Sequence, residues 1–195
     1  MSRAAIVLAG GRGSRLRGVR KVTMDVAGRH SLARVLDACR QWPAVVVGPA
    51  DLPVPDGVRL VTDDPPFGGP VSALRAGLDG LPAGTDLVAV LAGDQPFVTT
   101  ASLATLAGAV GDGEGAAYVT EGVVAFLCAV WRVPALRARV AAAGPAMRSV
   151  YAGAAIALVP DAGEWTLDVD TPADLARARA RARADQARTT RPTPE

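Results

Sequence analysis

The chain has 195 residues, half of them hydrophobic, with a mean hydropathy of +0.24. That suits one domain with a single large core and excludes a disordered chain, while no apolar run is long enough to cross a bilayer. Lys and Arg number 21 against 19 Asp and Glu, a net charge of +2, so nothing in the global balance calls for a nucleic acid or membrane partner, and any positive charge that matters must act locally. The apolar run before the first glycines is too short for a signal-peptide core, which points to a cytoplasmic protein. Cys39 and Cys128 show no metal-ligand spacing and read as small buried hydrophobes.

Residues 4–9 (AAIVLA) have the character of a parallel strand buried on both faces, closed by Gly10. From Ser31, the expected N-cap, Leu32, Val35, Leu36 and Cys39 recur at helical spacing, and 44–47 (AVVV) follow Pro43 as a second strand. A third strand is expected over 58–61, then the loop TDDPPFGGP and a helix with Pro70 in its first turn and Val71, Leu74, Leu78 and Leu81 on one face. Residues 87–91 form the strongest strand signal and end in AGDQPF; Leu103, Leu106, Ala107 and Val110 mark the next helix.

After Gly111 the rhythm loosens into a strand over 122–130, helices over 134–142 and 146–152 and a strand over 154–159, one of these strands being antiparallel. The segment EWTLDVDTPADL opens the last helix, in which Ala and Arg over 177–188 give helix propensity but little apolar stripe, so its end is expected to face solvent. An RNA-binding arm is the competing reading of that helix, disfavoured by the lack of stacking aromatics. The sum is an α/β fold with a mostly parallel sheet and one antiparallel strand, in a single domain over 1–188, with a disordered tail over 189–195.

Ligands of open α/β sheets bind beyond the carboxyl ends of the strands, where this chain carries LAGGRGSR, TDDPPFGGP and LAGDQPF. Glycines let backbone amides approach phosphate oxygens, and Arg12, Arg15, Arg17, Arg20 and Lys21 supply cations beside them. The spacing matches neither the Walker loop nor the dinucleotide G-x-G-x-x-G; a solvated surface turn is the plain alternative. Asp94 directly follows buried apolar residues, where a carboxylate needs a partner such as a divalent cation. Magnesium takes one or two carboxylates, and Asp170 is the second candidate. In an extended LDVDTPADL, Asp168 and Asp170 share a side; the rival reading makes Asp170 the cap of the following helix.

LAGGRGSRLRGVRK resembles the N-terminal signature of nucleotidyltransferases that activate a phosphorylated acceptor with a nucleoside triphosphate. FGGPVSALRAGL, LAGDQPF and DVDTPADL resemble three further motifs of that group, in the same order. The pattern is most similar to the MobA-like molybdenum cofactor guanylyltransferase family, and the likeness runs from Ile6 to about Leu175. It implies a three-layer Rossmann-like nucleotidyltransferase fold and transfer of GMP from GTP to molybdopterin, with Mg2+ and release of pyrophosphate. It further implies that Leu8, Ala9, Gly10, Gly11, Asp63, Gly69 and Pro70 line the nucleotide site. Arg15 and Lys21 would bind phosphates, and Asp94 with Asp170 would hold the metal. A molybdoenzyme or cofactor-delivery partner would receive the product.

Three positions depart from the pattern: Arg17 replaces a glycine, Arg20 an acid, and Gly48 an Asn that some members set against the nucleotide. They bear on the alternatives, which are transfer from CTP or another nucleotide to molybdopterin, a sugar phosphate or another small phosphorylated acceptor, or a non-catalytic nucleotide-binding accessory protein. His30 is assigned no catalytic role. Trp42, Trp131 and Trp165 read as packing residues, with Trp165 near enough to Asp168 to stand at a site's rim.

Overall fold

The computed structural model describes residues 1–10, 20–63 and 68–189. Its strands are β1 (Arg3–Leu8), β2 (Ala44–Val47), β3 (Arg59–Val61), β4 (Leu87–Ala92), β5 (Gly115–Thr120), β6 (Val123–Arg132) and β7 (Ile156–Pro160). They make one sheet in the order β3-β2-β1-β4-β6-β5-β7. β1 is parallel to β2 and β4, β2 to β3, and β5 to β7, whereas β6 runs antiparallel to both of its neighbours. The mostly parallel sheet with one reversed strand is therefore as the sequence predicts.

The helices are α1 (Ser31–Ala38), α2 (Pro70–Asp79), α3 (Thr100–Ala109), α4 (Val133–Ala142), α5 (Met147–Tyr151) and α6 (Pro172–Thr189). The central strands are apolar without alternation because both of their faces are covered. Along β1 and β4, Ala5, Val7, Leu87, Ala89 and Leu91 enter one core with Leu32, Val35 and Leu36 of α1 and Leu103 and Leu106 of α3. Ile6, Leu8, Val88 and Val90 enter the other with Leu74 and Leu78 of α2, Leu136 and Val140 of α4, and Val150 of α5. These are the three layers of the fold. No helix among the described residues is long and apolar enough to cross a membrane.

Several local expectations change. Ser31 is not an N-cap: it is the first residue of α1, fully buried, with a hydroxyl that finds no partner, and His30 precedes it. β5 is an addition to the elements expected from sequence: it opens on Gly115, Ala116 and Ala117, which favour no strand, and only Tyr118, Val119 and Thr120 do. Its hairpin with β6 closes through Glu121 and Gly122, both at positive φ (50° and 79°), which the primed two-residue turns require. α6 is not simply exposed, since Leu175, Ala178 and Ala182 are buried against Val26, Phe97 and Val169. It runs to Thr189, the first residue of the expected tail; 190–195 lie outside the described residues.

Both cysteines are buried, Cys128 in β6 and Cys39 directly after α1. Burial pushes the Cys39 thiol up to about 12 and the Cys128 thiol well above its ordinary range. Each serves as a hydrophobe rather than a nucleophile.

Candidate active site

Sheet order decides where a ligand can sit. From β1 the chain steps outward to β2 and β3, then returns to lay β4 on the other side of β1, and a crevice opens beyond the carboxyl ends of the strands at such a reversal. The register sets Leu8 beside both Val47 and Ala92, so the loops starting at Ala9, Gly48 and Gly93 leave the sheet side by side. Ala9 N donates to the Val47 carbonyl (2.8 Å) and Gly93 N to the Leu8 carbonyl (2.9 Å), carrying the ladder past the strand ends.

The side chains of Leu8 and Ala9 are buried in opposite cores, so these residues offer the crevice backbone rather than side chain; Gly10 is exposed. Gly11, Arg15 and Arg17 lie outside the described residues. Gly48 packs on the first loop, and a Cβ there would stand 3.3 Å from the Ala9 carbonyl oxygen. A side chain at 48 would need the Ala9 backbone or Leu52 to give by a few tenths of an ångström. Asp63 accepts a hydrogen bond from Gly68 N (3.2 Å). Gly69, at φ 93°, turns the chain into α2, whose first residue is Pro70.

The charged groups come from three separate segments. Arg20 pairs with Asp51 beyond β2 at 2.8 Å, so this departure from the motif ties the end of the glycine-rich loop to the neighbouring loop. Lys21 opens a short 3-10 turn (Lys21–Thr23), and its ammonium pairs with the Asp170 carboxylate. Asp170 is released from helix capping because Thr171 does that work: Asp174 N donates to Thr171 Oγ1 (3.2 Å) and Thr171 N to Asp174 Oδ2 (2.8 Å), a reciprocal capping box. The rival reading of Asp170 as the cap is thereby overturned.

Asp94 is partly buried, and its carboxyl is pushed up to about 6, first by desolvation and then by Asp168, with Lys21 acting in the opposite direction. Asp168 opens to solvent but is raised too, by desolvation from the surrounding loops and by Asp170. Among the described residues, three carboxylates therefore share one field with the Lys21 ammonium, and the balance of these groups is negative. Hard oxygen donors with surplus negative charge fit a divalent cation. Among the described residues no group of three or more His, Cys, Asp and Glu forms a metal cage, so phosphate and water oxygens would have to complete the shell.

Beside the acids lies an open cavity of about 440 Å³. Asp94, Gln95, Thr166 and Asp168 line it together with Pro70 at the start of α2 and with Thr120, Phe126 and Met147. The sequence reading named none of its β6 or α5 residues. The sequence signal for them is the apolar run of β6 itself, which reads as a strand without saying that Val123 is exposed and 124–127 only half-buried. From sequence, Asp168 reads only as the same-side neighbour of Asp170. Trp165 packs against Tyr118 with ring centroids 5.0 Å apart and planes tilted by 44°, as a packing residue of the loop that carries both acids.

Residues 5–187 match the family described as the MobA-like NTP transferase domain. The molybdenum cofactor guanylyltransferase of Rhodobacter capsulatus is 31% identical over 185 residues, 92% of this chain and 96% of that protein. A probable molybdenum cofactor guanylyltransferase of Methanosarcina acetivorans is 36% identical over 112 residues, but that alignment takes in only 51% of this chain and 49% of that protein.

Among solved structures, molybdopterin-guanine dinucleotide biosynthesis protein A of Archaeoglobus fulgidus superposes with a TM-score of 0.74 at 19% identity, covering 93% of this chain and 99% of that one. A Mycobacterium tuberculosis protein solved in complex with manganese gives a TM-score of 0.73 at 19% identity over 92% of this chain and 99% of that one. With its acids gathered at the strand reversal and the family matched over nearly its whole length, this chain belongs to the MobA-like NTP transferases and is a nucleotidyltransferase.

Proposed function

We propose that the protein transfers GMP from GTP to molybdopterin, with a divalent cation, Mg2+, and release of pyrophosphate. The observation that carries the reading is the position of Asp94. It follows β4, whose end lies beside that of β1, and it borders the cavity along β6, so a nucleotide held at the end of β1 and an acceptor in the cavity would meet at its carboxylate. The guanylyltransferases of R. capsulatus and related organisms support the choice of substrates.

The reaction is an in-line attack of the acceptor's phosphate oxygen on the α-phosphorus, so a bond to pyrophosphate breaks as the new P–O bond forms, and no protein nucleophile is required. The chain's task is to hold two polyanions together and to stabilise the charge that develops. Backbone from Leu8 to Gly11, with Asp63 and Gly69, lines the nucleotide side, and Pro70, which also borders the cavity, lies where the two substrates would meet. Arg15 and Lys21 neutralise phosphate charge, and Lys21 exchanges its Asp170 partner for that role. Asp94 and Asp170 would hold the cation, which supplies Lewis-acid polarisation of the phosphate oxygens when bound. The cavity bordered by Thr120, Phe126 and Met147 receives the acceptor. A molybdoenzyme or its delivery factor would take the dinucleotide product.

The test is calorimetric titration with GTP, CTP, ATP and UTP, each with Mg2+ and with EDTA, followed by turnover with molybdopterin. Metal-dependent preference for GTP is expected. Preference for CTP would retain the phosphate site and replace the guanylyl assignment, and binding of no nucleotide would refute the reading.

A further inference from the structure

Apart from the two cores that sandwich the sheet, a third cluster joins Val26, Phe97, Val169, Leu175, Ala178 and Ala182. Half of these residues are close in sequence to the site's charged groups. Val26 follows the Lys21–Thr23 turn, Phe97 comes shortly after Asp94, and Val169 stands between Asp168 and Asp170. The other half form a single stripe of α6. The C-terminal helix thus packs on all three segments that carry Lys21, Asp94 and the paired aspartates.

Arg181, on the same helix, turns this packing into a clamp. Its guanidinium lies 3.9 Å from the centroid of the Phe97 ring. Nη1 donates to the Glu164 carbonyl (2.9 Å) and Nη2 to the Gly163 carbonyl (2.6 Å). Glu164 is held at φ 46°, a left-handed conformation that a residue with a Cβ disfavours, so this turn needs support from outside itself. Asp161 supplies part of it by accepting from Trp165 N and Thr166 N. Further along, the Thr166 carbonyl accepts from Gln95 Nε2 (3.4 Å) and Val169 N donates to the Asp94 carbonyl (3.2 Å). The two acid-bearing loops therefore touch through Gln95 and Val169, and Arg181 grips each of them once more, at Phe97 and at Gly163 with Glu164.

We propose that Arg181 is a positioning residue for nucleotidyl transfer: it fixes loop 161–170 on loop 94–97 and so sets Asp168 and Asp170 relative to Asp94. This role rests on the transfer reading above, since that reaction requires the carboxylates in fixed geometry. Arginine is suited to it because a planar guanidinium can stack on an aromatic face while forking onto two adjacent carbonyls, which an ammonium cannot do.

The test compares Arg181→Met, which keeps an apolar stem over Phe97 but loses the hydrogen bonds to the Gly163 and Glu164 carbonyls and the ion pair with the Glu164 carboxylate, with Arg181→Lys and with Arg183→Ala at an exposed position of the same helix. Hydrogen exchange by mass spectrometry is run without metal or substrate. In Arg181→Met, loss of these charge-assisted contacts should speed exchange over 161–170 about tenfold, with β1 and β4 unchanged. Binding of Mn2+, followed by the spectrum of the free ion, should weaken about tenfold, and kcat should fall to a similar degree while KM for the nucleotide stays within about twofold. Arg181→Lys should recover part of each effect, and Arg183→Ala should match the wild type.

Unchanged exchange over 161–170, or faster exchange with unchanged Mn2+ affinity and kcat, overturns the proposal, and so does a uniform rise across the whole sheet. If the wild type transfers no nucleotide, the proposed reaction fails. The clamp itself then stands or falls on exchange and Mn2+ affinity alone.

Discussion

Asp94→Asn should make the metal-free protein more stable while removing its activity. The carboxyl of Asp94 rises from an ordinary 3.8 to about 6 in the folded chain. A displacement of that size means the folded state disfavours the ionised form by about 3 kcal/mol at neutral pH. Because the folded value lies above the unfolded one, the benefit of a protonated Asp94 is fully present below pH 3.8 and is lost as the pH rises through about 6. An amide carries no such cost at any pH. In EDTA the variant should therefore match the wild type near pH 4 and exceed it by up to about 3 kcal/mol above pH 7, a Tm difference of about 6–12 °C for a chain of this size.

The assay is thermal and urea unfolding from pH 4 to 8 with chelator, repeated with Mg2+ and nucleotide, where the wild type alone should gain stability. Turnover of the variant should fall by orders of magnitude. Equal or lower stability of Asp94→Asn above pH 7 would refute the claim that burial beside Asp168 strains this carboxylate, and near-wild-type turnover in saturating Mg2+ would remove Asp94 from the mechanism.

Lys21→Met removes one charge-assisted phosphate contact, worth about 1.5–3 kcal/mol, so steady-state kinetics should show kcat/KM for GTP lowered roughly ten- to hundredfold; an unchanged value contradicts the phosphate role. Ala125→Trp places a large ring in the cavity that Ala125 helps to line. It should raise KM for the acceptor at least tenfold while calorimetric affinity for the nucleotide stays the same, provided the two substrates occupy opposite sides of Asp94. Thr171→Ala breaks the capping box that starts α6 and should cost about 1 kcal/mol in urea unfolding.

The β6 strand and the α6 helix show why some elements were legible and others were not. β1, β2 and β4 announce themselves because burial on both faces demands continuous apolar residues. β5 escaped because its first three residues are Gly and Ala, and its place in the sheet is settled by pairing with β6 and with β7, the latter distant in the chain. The docking of α6 escaped for a related reason. Alanine is a good helix former whether exposed or buried, and only the proximity of Val26, Phe97 and Val169 makes Ala178 and Ala182 a buried stripe.

By itself, the sequence determined the alternation of strand and helix, the glycines and cations after β1, and the acids at 94, 168 and 170, since each follows from local chain chemistry: apolar runs, turn residues and carboxylates set against buried strands. Tertiary structure alone decided that β4 returns beside β1, which sets Asp94 two residues beyond a strand end paired with the end of β1. It also decided that Thr171 rather than Asp170 caps α6, that Asp170 pairs with Lys21, and that a cavity opens along β6. Such facts depend on which segments the sheet order makes neighbours, and a linear pattern of residue types carries no information about distances between segments that meet only on folding.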